Sequence, residues 1–173
     1  NPSADAGLRK EHNLHGPLND SFMDAFLCVT PTGKANHAIA DELAKQEQDR
    51  FAKMFTREYL GEARAKTDAE ITDADIASNN LVLFGDPGSN RIIAKIAARL
   101  PIQWTKDSIV VGGKTYSAAD HVPVLIYPNP LNPKRYVVIN SGLVAGRGAA
   151  AYGDYAVLKI SKQADGQLTA ETA

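Results

Sequence analysis

The segment from Leu81 to Leu100 constrains the fold more than any other part of the chain. It starts with an apolar run that ends at Phe84, continues through a turn containing Gly and Pro, and then follows a helical period until Pro101. An apolar run of this length is typical of a strand buried on both faces, and a strand, a tight loop and a helix in this order build open parallel sheets. The segment therefore predicts an α/β fold.

The residues before this segment alternate between strand and helix patterns. Phe26 to Val29 is a β-rich run, Asn36 to about Tyr59 follows a helical period with Asn36 as the N-cap, and Glu62 to Lys66 alternates in the manner of a short edge strand. Thr72 then begins a short helix whose first turn is acidic. This β-α-β-α-β-α order predicts right-handed crossovers and a parallel sheet.

The second half of the chain has a different pattern. Ile109 to Tyr116 reads as a hairpin that turns at two glycines, and Val122 to Tyr127 and Tyr136 to Ile139 read as two further strands. The Pro-rich link between these two strands, residues 128–135, is too short for a parallel crossover, so we expect them to be antiparallel. Tyr155 to Ile160 is the last expected strand. The prediction is a three-layer Rossmann-like or flavodoxin-like sandwich, mainly parallel in its N-terminal half, with an antiparallel hairpin and an antiparallel strand in its C-terminal half.

Length and composition restrict the organisation and the partners. A chain of 173 residues suits one domain, and we expect an extended lead-in over residues 1–21, a single α/β domain over 22–162 and a frayed polar tail over 163–173. A net charge of −1 argues against nucleic-acid binding, and no apolar run is long enough for membrane insertion. The single Cys28 excludes an internal disulfide and reads as a buried, inert thiol. Because the sequence starts without Met and without a signal peptide, it is expected to be either a processed product or part of a longer protein, and we favour the second.

Candidate functional residues follow the predicted strands. In open α/β sheets, ligands bind at the carboxyl ends of the parallel strands. If Tyr136 to Ile139 is the parallel member of its pair, the start of the preceding strand reaches the same edge. The candidate ligand-binding and catalytic residues at this edge are Gly85, Asp86, Gly88, Ser89, Asn90, His121, Asn140 and Ser141.

One interpretation of this cluster is a hydrolase in which Ser89, His121 and Asp86 form a catalytic triad. The local sequence argues against it, because the Gly-x-Ser-x-Gly nucleophile elbow occurs nowhere in the chain. The structural alternative is that Asp86 orders the turn while Ser89 or Asn90 caps the following helix. Both alternatives remain open at the level of the sequence.

The sequence gives little support for an anion site or a metal site. Gly85 and Gly88 would let an anion approach the helix N-terminus, but Pro87 removes a donor and Asp86 would repel the charge. A metal site would have to draw on the four histidines, and no metal-binding motif accompanies them. We therefore expect neither a metal nor a cofactor. The histidines are His12, His15, His37 and His121.

Four segments resemble a known family. They are Leu81 to Asn90, Val124 to Pro133, Arg135 to Gly142 and Gly16 to Phe22. Together they are similar to a domain near the C-terminus of large secreted bacterial proteins of the prolyl oligopeptidase or α/β-hydrolase type, notably from planctomycetes. The resemblance spans roughly residues 16–159, and the chain departs from the family pattern at residues 143–152, where Gly and Ala replace a more polar, aromatic loop.

The resemblance implies a division of labour. In that family the Ser nucleophile lies in a separate upstream domain, so this chain would be a non-catalytic accessory or interaction domain whose partner is another domain of the same secreted or periplasmic protein. No catalytic residue is carried over from the family. The alternative is a small hydrolase or ligand-binding domain whose site lies around Asp86, Ser89 and His121. The accessory interpretation predicts an exposed apolar patch where the partner docks, and a uniformly polar surface would count heavily against it.

Overall fold

A seven-stranded mixed sheet forms the centre of the protein, in a computed structural model that describes residues 22, 24–59, 61–141, 154–164 and 166–173. The elements in chain order are β1 (Phe26–Thr30), α1 (Ala38–Tyr59), β2 (Ala65–Thr67), α2 (Asp73–Ser78), β3 (Asn80–Leu83), α3 (Arg91–Ile96), a 3₁₀ turn (Ala97–Arg99), β4 (Gln103–Trp104), β5 (Ser108–Val111), β6 (Lys114–Ser117), β7 (His121–Asn129), β8 (Asn132–Ile139), β9 (Tyr155–Lys162) and β10 (Leu168–Thr172). The main sheet has the strand order β10-β9-β7-β8-β3-β1-β2.

The direction of the strands confirms the predicted split between the two halves. Strands β2, β1, β3 and β8 are neighbours and all parallel. Strand β7 is antiparallel to both β8 and β9, and β10 is antiparallel to β9. The protein is therefore an α/β protein whose sheet is parallel on the N-terminal side and antiparallel on the C-terminal side.

Strand β3 lies at the centre of the sheet and is buried on both faces. Leu81 and Leu83 belong to a core cluster with Ile76 of α2 and Ile93 of α3, whereas Val82 belongs to a cluster with residues of α1. Alternate residues of a strand point to opposite faces, so the two clusters mark two covered faces. Helix α1 covers one face, and α2, α3 and the second sheet cover the other.

The second sheet is small and antiparallel, in the order β4-β5-β6. Its hairpin turns at Gly112 and Gly113, whose φ angles of 58° and 79° are those that a two-residue hairpin turn requires. The predicted hairpin is confirmed, but β4 was not expected. Trp104 of β4 and Ile109 of β5 join the core cluster of α3, which is why this hairpin packs under the main sheet.

Two predicted coil regions are strands instead. The Pro-rich link is mostly strand, because β7 extends to Asn129 and β8 begins at Asn132. Only two residues form the turn between them. The Asn129 side chain stabilises this turn by accepting a hydrogen bond from Leu131 N at 2.9 Å. The tail predicted to be frayed contains β10, which pairs with β9 from Leu168 to Thr172. Leu168 is buried against α1. Its burial anchors a strand whose other residues are exposed.

The predicted helix boundaries differ in smaller ways. Helix α1 begins at Ala38 and not at Asn36, and the helix expected up to Leu100 becomes a 3₁₀ turn after Ile96. The predicted lead-in, residues 1–21, and the Gly/Ala-rich loop, residues 142–153, lie outside the described residues. None of the described helices is long and apolar enough to cross a membrane.

Helix α2 starts with a complete capping box. The Thr72 hydroxyl accepts from Asp75 N at 3.2 Å, and Thr72 N donates to the Asp75 carboxylate at 2.9 Å. Lys66 Nζ lies 2.8 Å from both carboxylate oxygens. The Lys66 hydrogen bonds and those from Thr72 lower the pKa of Asp75 from 3.8 to about 2. The ionised carboxylate therefore fixes the start of α2 to β2.

We expect Ile93→Ala to lower the free energy of unfolding by about 2–5 kcal/mol, since Ile93 is fully buried and truncation leaves a cavity. Lys95→Ala is the matched control because Lys95 is exposed on the same helix, and it should change stability by less than about 0.5 kcal/mol. Urea denaturation measures both variants. Equal effects would mean that α3 does not pack on the sheet as described.

We expect Asp75→Asn to make the stability of the protein less dependent on pH below about pH 4. Because the pKa of Asp75 is lowered in the folded state, its contribution is present above the ordinary pKa of 3.8 and is lost as the pH falls towards 2. The variant should therefore be less stable than the original chain at pH 7 and approach it near pH 2. Urea midpoints measured across this range test the prediction, and a constant difference at all pH values would contradict it.

Candidate functional site

The carboxyl ends of β1, β3 and β8 meet at one edge of the sheet, which places three chain segments side by side. They are the β1–α1 loop (residues 31–37), the β3–α3 loop (residues 84–90) and residues 140–141 after β8. Strands β1 and β3 are neighbours in the sheet, with β2 on the outer side of β1 and β8 on the outer side of β3. The connection that leaves β1 leads to the β2 side, and the connection that leaves β3 leads to the β8 side. The crevice between two strands whose connections separate in this way is where open α/β sheets bind their ligands.

Asp86 joins the first two loops. One carboxylate oxygen accepts from Gly88 N at 3.0 Å and Ser89 N at 2.8 Å, and the other accepts from Asn36 N at 2.8 Å. The residue is only 3% exposed. A buried carboxylate that accepts three backbone N–H bonds has little capacity left for a substrate or a metal. Asp86 therefore orders its own turn, as the structural interpretation predicts, and in addition holds the β1–α1 loop.

Ser89 is 1% exposed, and its hydroxyl is used inside the same turn. Ser89 Oγ accepts from Asp86 N at 2.9 Å and lies 3.3 Å from Asp86 O, to which it donates. A Cβ on Gly85, which has a φ of 106°, would lie 2.5 Å from Ser89 Oγ. Gly85 is thus required both by its backbone conformation and by the hydroxyl packed against it. The Ser89 hydroxyl is a turn-forming group.

Asn90 is the N-cap of α3 and is fully buried. Its Oδ1 accepts from Ile92 N at 3.0 Å and Ile93 N at 3.2 Å, and its Nδ2 donates to Phe84 O at 2.9 Å. The predicted capping role is confirmed for Asn90. Since the amide also binds the end of β3, one side chain fixes both ends of the turn.

Asn140 connects the end of β8 to this turn. Its Oδ1 accepts from Gly85 N, and its Nδ2 donates to Gly85 O, both at 2.8 Å. The residue has a φ of 51°, a left-handed conformation that Asn tolerates better than most residues. The neighbouring Ser141 is also buried, at 4% exposed. The predicted proximity of Asn140 to Gly85 is therefore confirmed. The amide of Asn140 binds the backbone of Gly85 and so joins the end of β8 to the β3–α3 loop.

The β1–α1 and β3–α3 loops touch directly. Gly33 N donates to Ser89 O at 2.8 Å, and a Cβ on Gly33 would lie 2.8 Å from Gly88 O, which is backbone. A Cβ on Gly88 would lie 2.6 Å from Asn36 Oδ1, which is a side-chain atom. The close approach of the two backbones therefore requires glycine at residue 33. Both glycines are exposed, so this contact lies at the surface of the edge.

His121 forms its contacts elsewhere. Its Nδ1 lies 2.7 Å from Asp120 Oδ1 and 3.1 Å from Ser117 O, and its ring centroid is 5.4 Å from that of Tyr116. In the described part of the chain no hydrogen bond joins His121 to Ser89. The structure thus assembles Asp86, Ser89, Asn90 and Asn140 but does not complete the triad that the hydrolase interpretation requires.

The register of β7 explains why His121 is separated from the cluster. Leu125 pairs with Ile139, the last residue of β8, and His121 precedes Leu125 by four residues. At about 3.3 Å per residue, His121 lies roughly 13 Å beyond the end of β8. It pairs there with Lys159 of β9. The expected direction of β7 is correct, but the strand extends well past the edge where the cluster lies.

The remaining candidates from the sequence are Cys28 and the other three histidines. Cys28 is buried, and burial raises the pKa of its thiol to about 12, so it is the inert thiol that the sequence predicts. His37 Nε2 lies 2.7 Å from Lys106 O. His12 and His15 lie outside the described residues. Within the described residues, no group of three or more His, Cys, Asp or Glu side chains is placed to hold a metal.

Sequence reasoning missed Asp68, which follows β2 at the same edge. Asp68 is 4% exposed, its N–H donates to Thr30 O at 2.9 Å, and its Oδ2 accepts from Arg91 N at 2.7 Å. Its Oδ1 has no hydrogen-bond partner among the described residues. The sequence signal for Asp68 is its position directly after the edge strand β2. Because that strand was predicted to end at Lys66, the prediction did not place Asp68 at the strand end. Asp68 connects β2, β1 and α3.

A cavity of about 450 Å³ lies on the outer side of the β1–α1 loop, between the loop and the first turns of α1. This volume is within the range of about 300–1,000 Å³ that small-molecule sites occupy. Its polar lining differs from the predicted cluster because the lining residues are partly or fully exposed, whereas those of the cluster are mostly buried. The lining side chains with polar groups are Thr30, Lys34, Asn36, Asp41, Lys45 and Gln48.

Comparisons of the chain with protein-family models, with curated proteins and with solved structures found no match. The strand-end loops are joined by hydrogen bonds between them. Among the described residues of this edge, no nucleophile is paired with a base.

We expect Asp86→Ala to destabilise the protein by roughly 2–4 kcal/mol, because it leaves the buried N–H of Ser89 and the partly buried N–H groups of Gly88 and Asn36 without their acceptor. Asp86→Asn should destabilise the protein less, because its remaining oxygen can still accept from Gly88 N and Ser89 N. It should still cost some stability, because the amide NH₂ would then face the N–H of Asn36. Asp107→Ala, at an exposed turn, is the control. Chemical denaturation gives the order, and an Asp86→Ala variant as stable as the control would show that the carboxylate does not hold the loops.

Proposed function

We propose that the chain is a non-catalytic accessory or interaction domain of a larger secreted hydrolase- or peptidase-like protein. The observation that carries this proposal is the use of the strand-end polar groups. Asp86, Ser89, Asn90 and Asn140 are all at most 4% exposed, and each binds backbone groups of the chain. The edge that would hold a catalytic site in an α/β enzyme serves here to connect loops.

The chemistry of acyl transfer argues in the same direction. A serine nucleophile needs a base within hydrogen-bond reach and a concave space in which the substrate carbonyl can approach. Ser89 is 1% exposed, and its hydroxyl is hydrogen-bonded to the backbone of Asp86. The imidazole of His121 is hydrogen-bonded to Asp120 and Ser117. The alternative of a small hydrolase at this cluster therefore has no geometric support.

The family resemblance supports the larger protein and its location. The segments from Leu81 to Asn90 and from Arg135 to Gly142 are similar to a domain that accompanies a separate catalytic domain in secreted bacterial proteins. We propose a secreted or periplasmic location on this basis. The parallel strand order β2-β1-β3-β8 supports a flavodoxin-like arrangement of the N-terminal half.

The surface of the described residues indicates what kind of contact this domain can make. Tyr155, at 49% exposed, is the one exposed large hydrophobic side chain among the side chains whose burial the structure describes. The apolar patch that the accessory interpretation predicts is therefore not present on this part of the surface. For the described surface, this finding counts against the accessory interpretation. Because contacts between domains of one chain are often more polar than obligate interfaces, we propose that docking would use polar groups.

The absence of serine-hydrolase chemistry can be tested with a fluorophosphonate probe, which labels activated serine nucleophiles. We expect the chain and its Ser89→Ala variant to show the same background labelling, because the hydroxyl is buried and has no base. A serine hydrolase of known activity is the positive control. Stoichiometric labelling that disappears in Ser89→Ala would overturn the proposal.

The interaction role can be tested in the full-length reading frame that contains this domain. Lysine-directed crosslinking followed by mass spectrometry should join this domain to another domain of the same polypeptide. Deleting the domain should leave the upstream active site able to react with the probe. Crosslinks confined within this domain at all protein concentrations would contradict the proposed docking.

A further inference from the structure

The cavity between the β1–α1 loop and α1 has walls that other parts of the fold hold in place. On the inner side of the loop, Gly33 N donates to Ser89 O and Asn36 N donates to Asp86 Oδ2, both at 2.8 Å. At the opposite wall, Gln48 Nε2 donates to Thr30 Oγ1 at 2.7 Å and so ties α1 to the end of β1. The space is bounded by two elements that are each fixed to the sheet, and a fixed pocket costs little ordering when a ligand binds.

One stripe of α1 supplies the helical wall. Ala38, Asp41, Lys45 and Gln48 follow one another at intervals of three or four residues, so they lie on the same side of the helix. Ala38 is small and leaves room next to the loop. The other three bring hydrogen-bonding groups into the cavity, which gives it the few convergent polar groups typical of a small-molecule site.

The charges of the lining are unbalanced in favour of cations. Lys34 is exposed and forms no ion pair with any of the described residues. Lys45 pairs with Asp41 at 2.7 Å, but the two side chains are 71% and 35% exposed. Such exposed pairs contribute little, so exchanging the Asp41 carboxylate for that of a ligand has a small cost. The lining has two ammonium groups and one carboxylate, on a chain whose net charge is −1. The neighbouring Glu42 carboxylate also acts on Lys45, but it is paired with Lys162 at 2.8 Å. The charged groups around the cavity therefore sum to a positive charge.

We propose that this cavity binds a small organic anion, whose carboxylate or phosphate group is bound by Lys34 and Lys45. Thr30 and Gln48 donate and accept hydrogen bonds with the polar part of the ligand at the inner wall. Asp41 remains in the cavity and repels further negative charge, which selects singly or doubly charged ligands over polyphosphates. This proposal is independent of the accessory role proposed above, because a small anion can bind in the cavity whether or not the domain contacts a partner.

The proposal can be tested by NMR titration of the ¹⁵N-labelled chain with inorganic phosphate and, separately, with succinate, both at constant ionic strength. We expect saturable shifts of the backbone amides of Lys34, Ala35 and Ala38. The probe that binds more tightly identifies which of the two anionic groups the site prefers. Lys34→Gln and Lys45→Gln should each weaken binding about two- to fivefold, as expected for a solvent-screened charge contact.

Lys95→Gln is the matched control, since Lys95 is an exposed lysine of α3 on the opposite face of the sheet, and it should leave the affinity unchanged. All three lysines are exposed, so the dispersion of the spectra should show that each variant is folded. The proposal would be overturned if neither probe gives saturable shifts at these amides. It would equally be overturned if Lys95→Gln weakens binding as much as the other two variants.

Discussion

The Asp86 carboxylate is the interaction on which the arrangement of the carboxyl edge depends. It holds three backbone N–H groups that belong to two loops, and one of them, Asn36 N, is fifty residues away along the chain. Because the carboxylate is buried, these bonds are not weakened by competition with water. Around this centre, Gly33 allows the loops to touch, and Asn140 adds the end of β8. The edges of β1, β3 and β8 are thereby joined into one surface.

The same contacts decide what the edge can do. Polar side chains at the carboxyl ends of parallel strands are the usual sign of a binding or catalytic site. Here Asp86, Ser89, Asn90 and Asn140 form hydrogen bonds with backbone groups of the chain, whereas Asp68 Oδ1 has no partner among the described residues. The two loops are in direct contact at Gly33. An open cavity lies on the other side of the β1–α1 loop, where Lys34 and Lys45 are exposed. Fixing the loop from within is what gives this outer cavity a defined wall.

Local patterns predicted most of the architecture. The apolar run before Phe84, the paired Gly112 and Gly113, and the short link after β7 are each sufficient to indicate a buried strand, a hairpin and an antiparallel pair. What could not be predicted depends on partners that are distant in sequence. Strand β10 exists because Leu168 finds a buried position against α1, and the separation of His121 from the cluster follows from the register of β7. No local pattern encodes either relation.

Native-state hydrogen exchange of backbone amides tests the central claim most directly, because it reports each loop hydrogen bond separately. If Asp86 and the direct loop contacts close the edge, the amides of Gly33, Asn36 and Ser89 should exchange with protection close to that of β3, in the core of the sheet. Exchange of these three amides near the rate of an unstructured peptide, while β3 stays protected, would show that the edge is open in solution and would contradict this account.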